Sequence, residues 1–220
     1  MKPFLQSLSP AAEFAIVILA AFGYFVVASL LQVAEPQPSF SDRELQWLVV
    51  HEAIVLALLL SFLRLRRWTF SHIGLRPTGW DTLVGLGLAL ATYGVEIIVW
   101  LIAVGLFPWL GQTGEAISFG QLSLATVVAI SVLNPIFEEV FVCGYLMTAL
   151  KPRVGMWTAI NVSVALRLVY HLYQGATAVV YMIPFGLVLA YWYARTGRLW
   201  PVIVAHAAFD FIALIGYVMR

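Results

Sequence analysis

The sequence predicts an all-α polytopic membrane bundle of about seven helices, with eight as the upper count. Three observations carry this. Of 220 residues, 62% are hydrophobic and only 10% charged, with mean hydropathy +0.94, whereas a soluble domain carries roughly a quarter charged residues. The apolar residues fall into long runs divided by short polar punctuation. Eight Trp, nine Tyr and 14 Phe suit helix ends that lie at lipid headgroups.

Seven apolar segments follow in order, at 11–33, 44–63, 81–107, 122–148, 156–172, 176–194 and 199–219. The first is longer than the apolar region of a signal peptide and lacks a small-x-small cleavage site before Pro36, so it is read as a spanning helix. Pro36-Gln37-Pro38 breaks the chain after it, and Ser41 with Glu44 has capping-box spacing before the second segment. Asp81 is the expected cap of the third, and Gly111-Gln112-Thr113-Gly114 the break after it. Arg195-Thr196-Gly197-Arg198 reads as a helix C-terminus, and Pro201 suits the first turn of the last helix. Residues 1–220 are read as one integral membrane domain without internal repeats.

Charge orients the chain. With the N-terminus inside, Lys2, Arg64, Arg66, Arg67, Arg76, Lys151, Arg153, Arg195 and Arg198 fall on the inner side, and only Arg43 and Arg220 on the outer. That asymmetry satisfies the positive-inside rule. Arg167 belongs to neither side. A net charge of +1 without a basic run excludes a nucleic-acid partner, and the single cysteine, Cys143, excludes an internal disulfide or a multi-cysteine metal cluster.

The chemistry is expected where polar groups interrupt the apolar segments. Glu138 and Glu139 are adjacent in mid-segment, and an ionised side chain there costs at least ~2.5 kcal/mol unless it faces protein or a wet cavity. As helix neighbours they lie about 100° apart and point to different partners. Asn134-Pro135 stands one turn upstream, where the missing backbone donor can open the helix beside them. His206 and Asp210 are i, i+4 on one face, and Arg167 and His171 repeat that spacing. His51 and Glu52 read as structural or interfacial groups, and Glu96 as a hydrogen-bonded core group. Buried carboxylates and histidines suit activation of water, since a positioned carboxylate can take its proton. His and carboxylate at i, i+4 is also ordinary metal-ligand spacing, and residue types alone leave both chemistries open.

The order of motifs resembles the CPBP family, which joins type II CAAX prenyl proteases with bacteriocin-processing and Abi proteins. Glu138-Glu139 with Gly144-Tyr145-Leu146 resembles its first motif (EExxxRG), His171 in Tyr170-His171-Leu172 its second, and His206 with Asp210 its third. The likeness covers residues 120–212. It implies an intramembrane endopeptidase in which Glu138 and His171 activate water, His206 and Asp210 stabilise the tetrahedral intermediate, and Glu139 organises the site. A metal-free glutamate mechanism is favoured, with zinc on Glu138, His171 and His206 as the alternative. Two departures stand out: Cys143 replaces the motif arginine, and Arg167 replaces a phenylalanine four residues before His171. Arg167 is therefore expected to supply the missing positive charge from the neighbouring helix, with Cys143 and Asn134 in supporting positions.

The resulting expectation is a multi-pass protein of a prokaryotic cytoplasmic membrane whose site opens toward the cytoplasm. Its partners are the lipid bilayer and a peptide or membrane-protein substrate. Its rivals are a catalytically impaired scaffold or bacteriocin-immunity protein of the same fold, and a proton-coupled transporter built on the same polar groups. If the 156–172 helix spanned fully, His171 would sit near the outer surface, so assembly of the site requires that helix to be short or tilted.

Overall fold

The computed structural model describes residues 7–33, 39–112 and 117–218. Lys2, Pro36, Gln37, Pro38, Thr113, Gly114 and Arg220 lie outside the described residues. The helices are α1 (Pro10–Gln32), α2 (Asp42–Leu65), α3 (Gly79–Leu106), α4 (Leu124–Glu139), α5 (Thr148–Val154), α6 (Met156–Tyr170), α7 (Ala176–Thr196) and α8 (Trp200–Ile215). A π-helix, Val140–Met147, joins α4 to α5 without a break. Two short segments, β1 (Ser39–Phe40) and β2 (Ser118–Phe119), pair in parallel. The sequence gives no alternating pattern long enough to reveal that pair.

Local chemistry sets most boundaries. Ser41 accepts from the Glu44 N–H while the Glu44 carboxylate takes the Ser41 N–H, completing the expected capping box. Gly197, at φ 64°, closes α7 in the left-handed conformation, and Pro201 lies in the first turn of α8. Asp81 does not cap α3. Thr78 does, accepting from the Asp81 N–H at 3.0 Å, which frees the Asp81 carboxylate to pair with Arg198. The fourth rod also runs past residue 148 to Val154, because Lys151 and Arg153 do not end a helix and the first backbone break is Gly155 at φ 84°.

By length and composition, α1, α2, α3 and the continuous Leu124–Val154 rod can each cross a membrane, while α6 and α8 are apolar but shorter. This is a helical membrane protein. In its most apolar stretch the Leu124–Val154 rod is 67% buried, against 22%, 17% and 22% for α1, α2 and α3. The rod is therefore the axis and the first three helices form a lipid-facing wall, with Leu19, Leu58, Leu90 and Leu101 exposed. The main core gathers Phe22, Phe137, Phe141, Leu189 and Val202 around it.

The two ends of the bundle differ in charge. At one end Arg66 pairs with Glu13, Arg198 with Asp81, and Lys151 Nζ donates to the Ala194 carbonyl. Arg64, Arg67, Arg76, Arg153 and Arg195 belong to that end by chain order. At the other end lie the β1–β2 pair, the Ser123 N–H on Asp42, the Tyr173 N–H on Ser29 Oγ, and Arg43.

Candidate active site

Four helices each contribute to one polar chain inside this apolar bundle. On α4, Asn134 and Glu138 are one turn apart and share a face, with Glu139 beside them. On α6, Arg167 and Tyr170 face the same place. On α8, His206 and Asp210 are i, i+4, and α2 adds Glu52.

Arg167 holds the centre. Its Nη1 donates to Glu138 Oε2 at 2.9 Å and its Nη2 to Glu139 Oε1 at 2.7 Å. Tyr170 donates its hydroxyl to the same Glu138 Oε2 at 2.6 Å. On the far side of Glu138, Asn134 Nδ2 lies 3.4 Å from Oε1 and donates to Glu52 Oε1 at 2.7 Å. On the far side of Glu139, His206 Nδ1 meets Oε1 at 2.7 Å, and His206 Nε2 faces Asp210 Oδ1 at 3.5 Å. The chain thus runs Glu52, Asn134, Glu138, Arg167, Glu139, His206, Asp210.

Burial makes these bonds necessary. Glu139 and Arg167 are 0% and 1% exposed, and a charge so placed costs several kcal/mol unless it is paired and hydrogen-bonded. The planar guanidinium presents parallel N–H groups, so one side chain can satisfy two carboxylates where an ammonium would act as a point charge. The neutralising charge thus arrives from α6. Cys143 is buried beside Glu139 and Ser163, one turn down the rod, and brings no charge. The two glutamates differ in their remaining partners, as their angular separation requires, yet they share Arg167.

Helix α7 seats the arginine. The Phe185 ring lies 5.3 Å from the Arg167 guanidinium carbon and packs edge-on to His206 at 5.0 Å. Gly186 leaves room for the arginine stem, since a Cβ there would stand 3.5 Å from Arg167 Cδ and 3.3 Å from Val164 Cγ2.

His171 ends α6, which has 15 residues and so rises about 22 Å, short of a full crossing. The next turn is tied to α1 by the Tyr173 N–H on Ser29 Oγ at 3.0 Å. His171 Nδ1 donates to the Arg167 carbonyl at 2.9 Å, which leaves Nε2 as the basic nitrogen of the neutral ring. Its ring stacks near Tyr170 and Tyr173, outside the cluster that Glu138, Glu139 and His206 form.

That cluster is the natural place to test for a metal ion. Glu138, Glu139 and His206 offer ligand atoms within 4.8 Å of one another. In this arrangement those atoms are already committed: Arg167 donates to both carboxylates, and Glu139 Oε1 receives both Arg167 and His206. A divalent ion would have to share the space with a guanidinium. The donor set does not fit a metal as it stands.

Sequence reasoning missed several participants. The sequence marks Tyr170 only as the neighbour of His171 in its motif. Glu52 was read as structural or interfacial, but it is 1% exposed and bonded into the site through Asn134. The available signal was a carboxylate ten residues into an apolar helix, the same anomaly that marked Glu138. His51 is half-buried between Tyr24 and Phe25, and Glu96 is half-buried on α3; neither joins the chain. A separate cluster was not anticipated: Glu13 accepts from Arg66 Nε (2.5 Å), Trp68 Nε1 (2.9 Å) and Tyr145 OH (3.1 Å) at the basic end. The expected opening at Pro135 is also displaced, since α4 continues through it and the winding changes over Val140–Met147. Such wider turns recur at functional sites because they re-aim the side chains that flank them.

Fold and site together define a helical membrane protein with a buried glutamate–arginine–histidine centre. Residues 120–212 match the family model described as type II CAAX prenyl endopeptidase Rce1-like, so the resemblance read from the three motifs is borne out over the same stretch. That family is one of endopeptidases, whose substrates are peptides or proteins. No curated protein and no solved structure matches the chain.

Proposed function

We propose that this chain is an intramembrane endopeptidase that hydrolyses membrane-associated peptides by activating water at Glu138, without a metal. The observation that carries the reading is the Arg167 bridge between Glu138 and Glu139, linked onward to His206 and Asp210. It supports a site in which buried carboxylates are paired and held in fixed orientation, as a general base must be.

Glu138 has its Oε2 held by Arg167 and Tyr170, and its Oε1 is turned to Asn134 at the longer distance of 3.4 Å. Oε1 is the atom that receives the proton. A water beside it loses that proton as its oxygen bonds to the scissile carbonyl carbon, with His171 Nε2 helping to activate that water. His206, whose Nδ1–H donates to Glu139, acts as an imidazolium: its Nε2–H donates to the oxygen that gains negative charge, and the Asp210 carboxyl beside that nitrogen orients the ring. The proton held by Glu138 then passes to the departing nitrogen as the C–N bond breaks.

The test compares peptide termini in membranes of cells expressing the native chain or Glu138→Gln at matched levels. New termini confined to the native chain are expected. Identical termini from two folded proteins would favour the scaffold reading, in which the fold binds a peptide or membrane protein without cutting it.

A further inference from the structure

We infer that the loop after α2 forms a binding site for the phosphate group of an anionic lipid, in the leaflet at the basic end. The site stands apart from the glutamate centre, since none of the residues lining it belongs to the polar chain. Arg66, Arg67, Trp68, His72 and Thr148 line a cleft of about 350 Å³ there. Each of these side chains can donate a hydrogen bond, and no carboxylate lines the cleft. Its walls are held in place. Trp68 donates its indole N–H to Glu13 Oε1 at 2.9 Å and packs on the Tyr145 ring at 4.9 Å. His72 Nδ1 accepts from the Thr69 N–H at 3.1 Å, so the ring proton sits on Nε2 and the imidazole offers a donor. Arg66 is spent on Glu13 and on the Leu8 carbonyl, which makes Arg67 the charge that an incoming anion meets.

The backbone singles out the same residue. Arg67 is the one non-glycine at positive φ among the described residues, at 68°. It directly follows the C-cap of α2, and the Trp68 N–H closes the helix on the Leu63 carbonyl at 2.9 Å. Glycine takes this position without strain, as it does at 197, whereas a side chain is disfavoured there. A loop that served only as a basic marker could carry glycine at 67 and rely on Arg64, Arg66 and Arg76. A strained arginine on the wall of a cleft is a side chain kept for what it binds.

The height of the cleft selects a lipid. Helix α2 has 24 residues and rises about 36 Å, more than the hydrocarbon core of a bilayer, so residues 66–68 emerge among the headgroups. Phe70 and Trp80 are exposed close by in sequence, as aromatics at that level are. Ile54, Leu58 and Leu65 are also exposed on α2 and share one face, which leads down the helix from the cleft and gives an acyl chain a track. Basic residues just beyond a spanning helix attract anionic lipids, and a guanidinium donates to phosphate through charge-assisted bonds. A free phosphate would meet the same donors but leave the apolar track unused.

The full chain, purified in detergent and stripped of lipid, would be titrated with dioleoylphosphatidylglycerol and the bound lipid measured by native mass spectrometry. Arg67→Gly is expected to melt no lower than the native protein, because the strain is relieved. It is expected to bind the lipid about tenfold more weakly, the loss of a hydrogen bond to a charged group. Arg195→Gln removes an exposed arginine at the same end but outside the cleft, and is expected to weaken binding by less than about threefold. Equal losses in the two variants would reduce the site to diffuse surface charge and overturn the inference, as would native-level binding by Arg67→Gly. If Arg67→Gly melts lower or fails to fold, His72→Ala takes its place in the same comparison. Millimolar inorganic phosphate is expected to leave the lipid bound. Displacement of the lipid by phosphate would assign the cleft to a soluble anion and overturn its assignment to a lipid.

Discussion

Arg167 on α6 reaches Glu139 Oε1 at 2.7 Å, supplying across a helix interface the charge that Cys143, one turn from Glu139 on its own helix, cannot. The same guanidinium holds Glu138, so both carboxylates depend on one side chain.

Arg167→Leu should therefore strand two buried carboxylates and destabilise the protein by about 3–5 kcal/mol, with cleavage lost. Adding Cys143→Arg should restore part of both, because an arginine four residues after Glu139 faces it on the helix. Thermal unfolding of the purified proteins reads the first effect. A single mutant that melts like the native chain would remove the arginine from the explanation.

Tyr170→Phe should keep the fold and slow turnover about tenfold with KM unchanged. The hydroxyl touches only Glu138 Oε2 among the described residues, at 2.6 Å, and a hydrogen bond to a charged group is worth about 1.5–3 kcal/mol. A rise in KM with kcat unchanged would instead place Tyr170 in substrate binding.

Asn134→Ala should cost more than its size suggests, about 2 kcal/mol, because Glu52 loses the amide that satisfies it in a buried position. Glu52→Leu in that background should recover most of the loss. Melting temperatures of the two single variants and the double variant test this, and additive losses would mean that the two residues are not coupled.

Glu13→Gln weakens a different buried cluster, with Arg66, Trp68 and Tyr145, at the basic end. It should lower stability by about 1–3 kcal/mol and leave the turnover of the folded fraction within twofold of native. A collapse of turnover at unchanged stability would tie this cluster to the reaction.

Prolonged dialysis against a strong chelator should leave cleavage intact, since Arg167 already occupies the carboxylates a divalent ion would need. Activity lost on dialysis and restored by zinc would overturn the metal-free reading.

Much of the fold is legible in one dimension. Six of the seven apolar segments reappear as helical rods within four residues of their expected ends, and the fourth runs six residues further to Val154, because apolar length, a capping box at Ser41–Glu44 and glycines at 155 and 197 act locally. The anomalies that mark the site are local too: adjacent glutamates and i, i+4 polar pairs are visible wherever the background is apolar. The expectation that Arg167 answers for Cys143 came from comparing two motif positions, and the geometry places the guanidinium on both carboxylates. The partners of Tyr170 and Glu52 were not recoverable, since nothing near them in sequence says which neighbour they meet.

By itself the sequence determined the class of protein, its helical rods, its strongly basic and weakly charged ends, and the short list of polar groups that lipid would reject. Each follows from the cost of moving a residue from water to hydrocarbon, which is a property of the residue and its close neighbours. Only the tertiary structure decided which of those groups meet: Arg167 on Glu138 and Glu139, His206 between Glu139 and Asp210, Asn134 between Glu138 and Glu52. It also decided where the packing beside the site is tightest, with Gly144 pressed against Ile73 and Leu199. These depend on how helices far apart in sequence pack, and a hydrogen bond forms only when packing brings its partners within about 3 Å.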